Sequence, residues 1–102
     1  MIQLQTPRFP LGKLVATPAA LAAIKEAGKI PFEFVARHAR GDWGDDLSDE
    51  DRLLNDQSVK DGSRILSAFT LTNSGERLWC ITEAQDEHGQ RAVTTLLLSS
   101  EY

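Results

Sequence analysis

The spacing of apolar residues changes once along this chain, near Gly62. Before this glycine, apolar side chains recur every three or four residues, which is typical of α-helices. After it they alternate, which is typical of β-strands. We therefore expect a single α+β domain over residues 1–102, with residues 1–12 as a surface arm. In it, three N-terminal helices pack on one face of a C-terminal antiparallel β-meander of three to four strands.

Local signals set the helix boundaries. Thr17 and Ser48 are residue types that cap helix N-termini, and Pro18 and Pro31 suit the first turn of a helix. Glycines that suit a helix C-terminus follow each pattern. The predicted helices span 18–27, 31–39 and 49–60.

Three alternating stretches follow Gly62, and they predict antiparallel strands at 64–72, 77–83 and 91–98. The short apolar segment Lys13–Ala16 is a candidate for an additional strand. The predicted core consists of one apolar residue or more from most of these elements: Leu21, Ile24, Val35, Ile65, Phe69, Ile81, Val93 and Leu97.

Composition limits the class of protein. The chain is 41% hydrophobic and 25% charged, with a formal net charge of -4. An acidic chain does not suit broad nucleic-acid binding, which needs a dense lysine and arginine surface, although a local basic patch remains compatible with it. Cys80 is the single cysteine and no long apolar run is present, so we expect a cytoplasmic protein without membrane spans.

The segment 37–46 is the strongest candidate for a functional surface. It combines three basic or titratable side chains, a tryptophan between two glycines and three acids: Arg37, His38, Arg40, Asp42, Trp43, Asp45 and Asp46. Forked arginine donors, an aromatic face and opposite charges on its two flanks suit recognition of a partner. The structural alternatives are that the tryptophan fills a groove, that the histidine packs in the core and that the arginines form ordinary ion pairs.

Acidic residues are dense between positions 42 and 51. Acids in the first turn of a helix stabilise its positive end, which explains part of this run. The spacing does not match a calcium-binding loop, because Gly44 and Leu47 stand where an EF-hand needs a ligand and a glycine. We expect no metal and no cofactor.

Sequence motifs of hydrolases, zinc enzymes and phosphate-binding loops are absent from the chain. One catalytic alternative is a metal-independent ribonuclease, which needs a base, an acid and a cation. Its candidate residues are His38, Arg37 or Arg40, and Glu83, with a hydroxyl from Thr94 or Thr95.

Five stretches resemble a family of small uncharacterised bacterial proteins carried on plasmids and integrative elements: RGDWG at 40–44, SRILSAF at 63–69, LWCITEA at 78–84, VTTLLL at 93–98 and EY at 101–102. Some relatives carry a label linking them to type I restriction-modification subunit M. A chain of 102 residues is too short for a methyltransferase domain, and it has no cofactor-binding glycine motif. The loop at 85–90 is longer than the hairpin usual in that family.

The resemblance implies an accessory protein of a mobile genetic element. Together with the acidic composition and the absence of catalytic motifs, it favours binding of a host or element-encoded macromolecule over catalysis. The sequence does not predict the oligomeric state.

Overall fold

The computed structural model describes residues 6–72 and 74–102. Its elements, in chain order, are strand β1 (Lys13–Ala16), helices α1 (Pro18–Glu26), α2 (Pro31–Ala39) and α3 (Asp49–Asp61), strands β2 (Ile65–Thr70), β3 (Arg77–Thr82) and β4 (Val93–Leu98), and a 3₁₀ turn (Ser99–Glu101).

The capping residues expected from the sequence define the ends of α1 and α3. The Thr17 hydroxyl accepts a hydrogen bond from the Ala20 amide, and the Ser48 hydroxyl accepts one from the Asp51 amide. Gly62 ends α3 in the left-handed conformation, at φ 87°. All three helices therefore begin where the sequence predicts and end within one residue of the prediction.

The predicted fold, an antiparallel meander that follows three helices, is wrong in the order of its elements and in the direction of one strand. Strand β1 precedes the helices, and the four-stranded sheet has the order β1-β4-β3-β2. β4 pairs antiparallel with β3, and β3 with β2, but β1 pairs parallel with β4. The sheet is therefore mixed, and β1 and β2 are its two edges.

The parallel pair was not predictable from local pattern. β1 has only four residues, and its partner follows it by five intervening elements. Turn residues predict hairpins between neighbouring strands, whereas nothing local specifies a pairing over such a distance. We expected Lys13–Ala16 only as a candidate strand, without a neighbour.

Alternate side chains of the sheet face the helices. On this inner face, Leu78 lies opposite Leu98 and Cys80 opposite Leu96, and all four are buried. Val93 and Leu97 belong to the other face and are half-buried, so their placement in the core was wrong. Because β4 is apolar on both faces, the apolar pattern does not identify the face that points inward. That face is the one that carries Thr94, which takes part in a buried hydrogen-bond network.

Five of the eight predicted core residues are buried: Ile24, Val35, Ile65, Phe69 and Ile81. Leu21 is 44% exposed, because α1 packs on the sheet through its smaller side chains Ala20 and Ala23.

The predicted surface arm extends over residues 1–12, of which 1–5 lie outside the described residues. Phe9 is buried against Trp43 and Ile65 in a small second cluster beside the main core. The described part of the arm thus contributes a core residue, and it does so next to the segment that the sequence marked as a candidate site.

Candidate functional site

The basic and acidic side chains at the start of the segment 37–46 bind each other. The Arg37 Nε donates to Asp42 Oδ2 at 2.8 Å, and Arg40 lies 3.7 Å from the same oxygen. Asp42 also accepts the Gly44 amide. The hydrogen bond from Arg37 holds the pKa of the Asp42 carboxyl below its usual range. The opposite charges on which we based a recognition surface are therefore largely paired within the chain.

Trp43 lies inside the protein, with 3% of its surface exposed. Its ring stacks on Phe9 with centroids 6.2 Å apart, and its Nε1 donates to Asp56 Oδ1 at 3.1 Å. Arg8 lies over the ring and pairs with the same carboxylate. The ring fills a space between the arm, α3 and β2, so it presents no face to a partner in this structure.

Trp43 and the residues after it form hydrogen bonds to the outer edge of β2, the edge that does not face β3. The Ala68 amide donates to the Trp43 carbonyl at 3.0 Å, and the Asp46 amide donates to the Ala68 carbonyl at 3.1 Å. The Thr70 amide donates to Asp45 Oδ1 at 2.8 Å. These contacts occupy backbone groups that a further strand would need.

Asn55 of α3 completes the cover of this edge. Its Nδ2 donates to the Leu66 carbonyl at 2.7 Å, and its Oδ1 accepts the Leu66 amide at 3.1 Å. A side-chain amide here replaces a neighbouring strand, which is one way in which proteins block pairing at a sheet edge. The outward amides of β2 are thus satisfied along the whole strand.

Gly44 is required for this cover. Its φ is 92°, which disfavours other residues, and a Cβ at this position would overlap the carbonyl oxygen of Ala68. The RGDWG motif therefore has a structural explanation, in which glycine allows the segment to lie against β2.

His38 is fully buried and belongs to a chain of hydrogen bonds that crosses the inner face of the sheet and includes four oxygen atoms. Its Nδ1 lies 2.6 Å from Ser67 Oγ, and its Nε2 lies 2.8 Å from Thr82 Oγ1. The Thr82 hydroxyl lies 2.6 Å from that of Thr94, which donates to the Leu11 carbonyl at 2.7 Å. This network ties β2, β3 and β4 to α2 and to the arm.

The hydrogen-bond network fixes the tautomer of His38. Thr94 gives its proton to the Leu11 carbonyl, so Thr82 must donate to Thr94. Thr82 then has no proton left and must accept from His38 Nε2. His38 in its neutral form can accept only at Nδ1, and Ser67 is the donor there. The donor and the acceptor of every hydrogen bond in the network are thereby assigned.

Burial lowers the pKa of His38 to about 4, with a smaller contribution from the positive charge of Arg91. The histidine is neutral at pH 7. A hydroxyl that donates to a neutral imidazole is the arrangement that activates nucleophilic serines. Ser67 and His38 are nevertheless both 0% exposed, so no substrate reaches this pair in the structure.

The residues of the ribonuclease alternative do not come together. His38 and Thr94 are enclosed in the core, whereas Arg40, Glu83 and the rest of the segment that follows β3 are exposed. Because Glu83 directly follows the inward-facing Thr82, the pleat of the strand directs it away from the histidine. These candidate residues therefore do not form a catalytic arrangement in the structure.

Burial raises the pKa of the Cys80 thiol, which makes it a poor nucleophile. Within residues 6–72 and 74–102, no three His, Cys, Asp or Glu side chains are grouped so that they could hold a metal ion. In the same part of the chain, no helix is long and apolar enough to cross a membrane.

At the opposite edge of the sheet, none of residues 6–72 and 74–102 covers strand β1 in this way. The Lys13 amide donates to Ala92, and the Thr17 amide donates to Leu96, both at 3.0 Å. The alternation of a parallel ladder therefore turns the amide and carbonyl of Leu14 and Ala16 away from β4. No strand of the described residues lies beyond β1.

Apolar side chains surround this open edge. Leu14 is 53% exposed and Val15 37%, while Ile30 and Phe32, at the start of α2, are 62% and 57% exposed. A groove of about 280 Å³ lies between β1 and α2, and its lining is almost entirely apolar: Leu14, Val15, Ala16, Pro31, Phe32, Val35, Thr94 and Leu96. Such a patch beside unused strand groups is typical of a protein-binding site.

No family model, curated protein or solved structure matches this chain. Its function must accordingly be argued from its own geometry.

A larger groove, of about 420 Å³, lies between α3 and β2. Charged and amide side chains contribute much of its lining, including Asp51, Asp61 and Arg64. The strand beside it is the one that Asn55 already hydrogen-bonds. This groove offers a partner no free strand edge, so we regard the β1 edge as the better candidate.

The sequence of α2 contains a signal for a contact surface beside the β1 edge. Helical spacing predicts that Phe32, Val35 and Ala39 share one face of α2, with Phe34 at its border. The structure buries Phe34 with Val35 and Ala39, and leaves Phe32 exposed. A nine-residue helix with more large apolar side chains than one face can hold indicates a second contact surface. Whether the segment 37–46 also contacts a partner stays a prediction.

Proposed function

We propose that this protein acts by binding another polypeptide rather than by catalysis, and that the bound segment adds a strand to β1. The observation that carries this is the unused backbone of Leu14 and Ala16 beside the apolar groove. In binding by strand addition, main-chain hydrogen bonds supply affinity, and side-chain pockets supply specificity. An extended segment with an apolar residue directed into the groove fits both requirements.

The two edges of the sheet support this choice. One is hydrogen-bonded along its length by Trp43, Asp45, Asp46 and Asn55, while the other is left open among exposed apolar side chains. Open edges are prone to unwanted association, and proteins generally block them. An edge left open beside a groove is accordingly a candidate binding site for another strand.

We further propose, from the resemblance described above, that the protein is an accessory protein of a bacterial mobile genetic element and works in the cytoplasm. One buried cysteine suits a reducing compartment. A short acidic chain that docks on another protein fits such a role without any cofactor.

Site-specific photo-crosslinking in bacterial cells tests the binding edge. Phe32 is replaced by benzoylphenylalanine, which preserves an aromatic ring at the groove. The matched control carries the same group at Leu53 of α3, which is 68% exposed and distant from β1 in the chain. We expect cross-linked products from position 32 and not from position 53.

A second variant links the product to the strand edge. Leu14→Pro removes an amide that points away from β4, so the ladder inside the sheet is preserved. We expect it to abolish cross-linking from position 32. Equal yields at positions 32 and 53, or products that survive Leu14→Pro in a folded protein, would contradict the proposed function.

A further inference from the structure

We infer that the strand added to β1 is β1 of a second copy of this chain, paired antiparallel across a two-fold axis at Val15. This inference rests on the proposed function and names its partner. The result is a dimer with one continuous eight-stranded sheet, whose two outer edges are the covered β2 strands.

The backbone pattern selects this register. With Val15 on the axis, Leu14 lies opposite the partner's Ala16, and Ala16 opposite the partner's Leu14. Both residues turn their amide and carbonyl outward, so each pair exchanges two hydrogen bonds and the interface has four. An axis at Leu14 or at Ala16 leaves one outward residue opposite Gly12 or Pro18, both outside the strand. Proline has no amide to donate, and those registers form fewer bonds.

The side chains fit the same register. Ala16 is small and lies in the floor of the groove between β1 and α2, beside Pro31, Phe32 and Val35. The partner's Leu14 stands directly opposite this alanine and on the same face of the sheet. Leu14 is 53% exposed in a single copy, so pairing buries it in the groove, and the reciprocal contact is identical by symmetry.

Charges do not oppose this pairing. Lys13 lies opposite the partner's Thr17, which is uncharged, so no like charges face each other across the axis. Near the groove, Lys29, which precedes α2, forms an ion pair with Glu33 of α2 at 3.7 Å. A second β1 therefore complements both the groove beside Ala16 and the order of outward backbone groups.

Analytical ultracentrifugation of the purified full chain over a concentration series measures the association. We expect a monomer–dimer equilibrium. Leu14→Glu places a charge in the apolar groove and should weaken the dimer roughly tenfold or more. Leu53→Glu introduces the same charge at a more exposed leucine on α3 and should leave the dissociation constant unchanged. Thermal melting of both variants confirms that they are folded.

Disulfide trapping tests the register independently. Val15→Cys places two thiols opposite each other on the axis, at a spacing that suits a disulfide. Incubation with oxidised glutathione should give a covalent dimer. Leu14→Cys, whose counterpart in this register is the partner's Ala16, should cross-link far less. The native Cys80 is present in both variants, and because it is buried we expect it to form no disulfide.

The possible failures are distinct. A chain that stays monomeric at all concentrations overturns the second copy as partner, and a dimer indifferent to Leu14→Glu overturns β1 as the interface. A preferred disulfide at position 14 overturns the register. If the chain is monomeric while benzoylphenylalanine at position 32 captures a different polypeptide, the proposed function stands without this inference. If neither association occurs, both are wrong.

Discussion

His38 is the residue whose protonation should most affect this fold. Both ring nitrogens are hydrogen-bonded, and the network suits only the neutral imidazole. In the protonated ring, a second N–H at Nδ1 would point at Ser67 Oγ, and the Ser67 hydroxyl proton would lose its acceptor. The histidine therefore links pH to stability without taking part in any reaction. Among our initial alternatives, the structure supports packing in the core.

The pH dependence has a definite sign. The pKa of His38 is about 4 in the folded protein and about 6.5 when unfolded, so the unfolded chain binds more protons between these values. Stability should fall as pH drops through this window, by about 1.5 kcal/mol between pH 6.5 and pH 5. Urea unfolding at these two values measures it.

His38→Gln should abolish most of this loss, whatever its effect on stability at neutral pH. His88, which is exposed, provides the matched control, and His88→Gln should leave the loss unchanged. A His38→Gln protein that loses as much stability as the wild type would show that the buried imidazole is not the titrating group.

His38 follows Phe34 by four residues and Val35 by three, a spacing that predicts a position beside the apolar face of α2, and the structure buries all three side chains. Its partners were not visible, because Ser67 and Thr82 follow it by 29 and 44 residues. Serine and threonine inside a strand pattern read as solvent-facing positions. In this sheet they face inward because a buried histidine satisfies them, which is a tertiary effect that no local pattern encodes.

At the scale of elements, the segment 41–46 acts as an irregular border for the sheet. It satisfies the outward groups of β2 without forming a strand, and Gly44 lets it approach closely. A border of this kind is sensitive to any side chain that holds it away from the strand.

Gly44→Ala tests this role, with Gly89→Ala as its control. Both glycines have positive φ, so both alanines incur backbone strain of similar size. At Gly89 no atom lies within 4 Å of the added Cβ, whereas at Gly44 the Cβ meets the Ala68 carbonyl. We expect Gly44→Ala to lower the free energy of unfolding by roughly 1–3 kcal/mol more than Gly89→Ala. Equal losses in urea unfolding would show that close contact with β2 is unimportant.

Elements were predictable where local chemistry defines them and not where distant pairing does. Thr17, Ser48 and Gly62 mark their helix ends in the sequence as in the structure. The direction and neighbour of β1 depend on a strand about eighty residues away, and the inward face of β4 depends on Thr94. The side chains of the candidate segment 37–46 are mostly engaged inside the chain, and its role in partner binding stays a prediction.

At the scale of the whole molecule, the sheet is asymmetric. Its β2 edge is closed by contacts from the 41–46 segment and α3, and its β1 edge is open beside a groove. Among the described residues, outward backbone groups are left for a further strand at the β1 edge alone. We therefore propose that other polypeptides bind at β1, away from the segment that the sequence first suggested.

Amide hydrogen exchange, read residue by residue by NMR, compares the two edges directly. In dilute protein, the outward amides of Leu66, Ala68 and Thr70 should exchange slowly, because each has an acceptor within the chain. Those of Leu14 and Ala16 should exchange rapidly and become protected as the protein associates. Leu14 and Ala16 amides that stay unprotected in the associated protein, or that are already as protected as those of β2 in dilute solution, would contradict an open β1 edge used for binding.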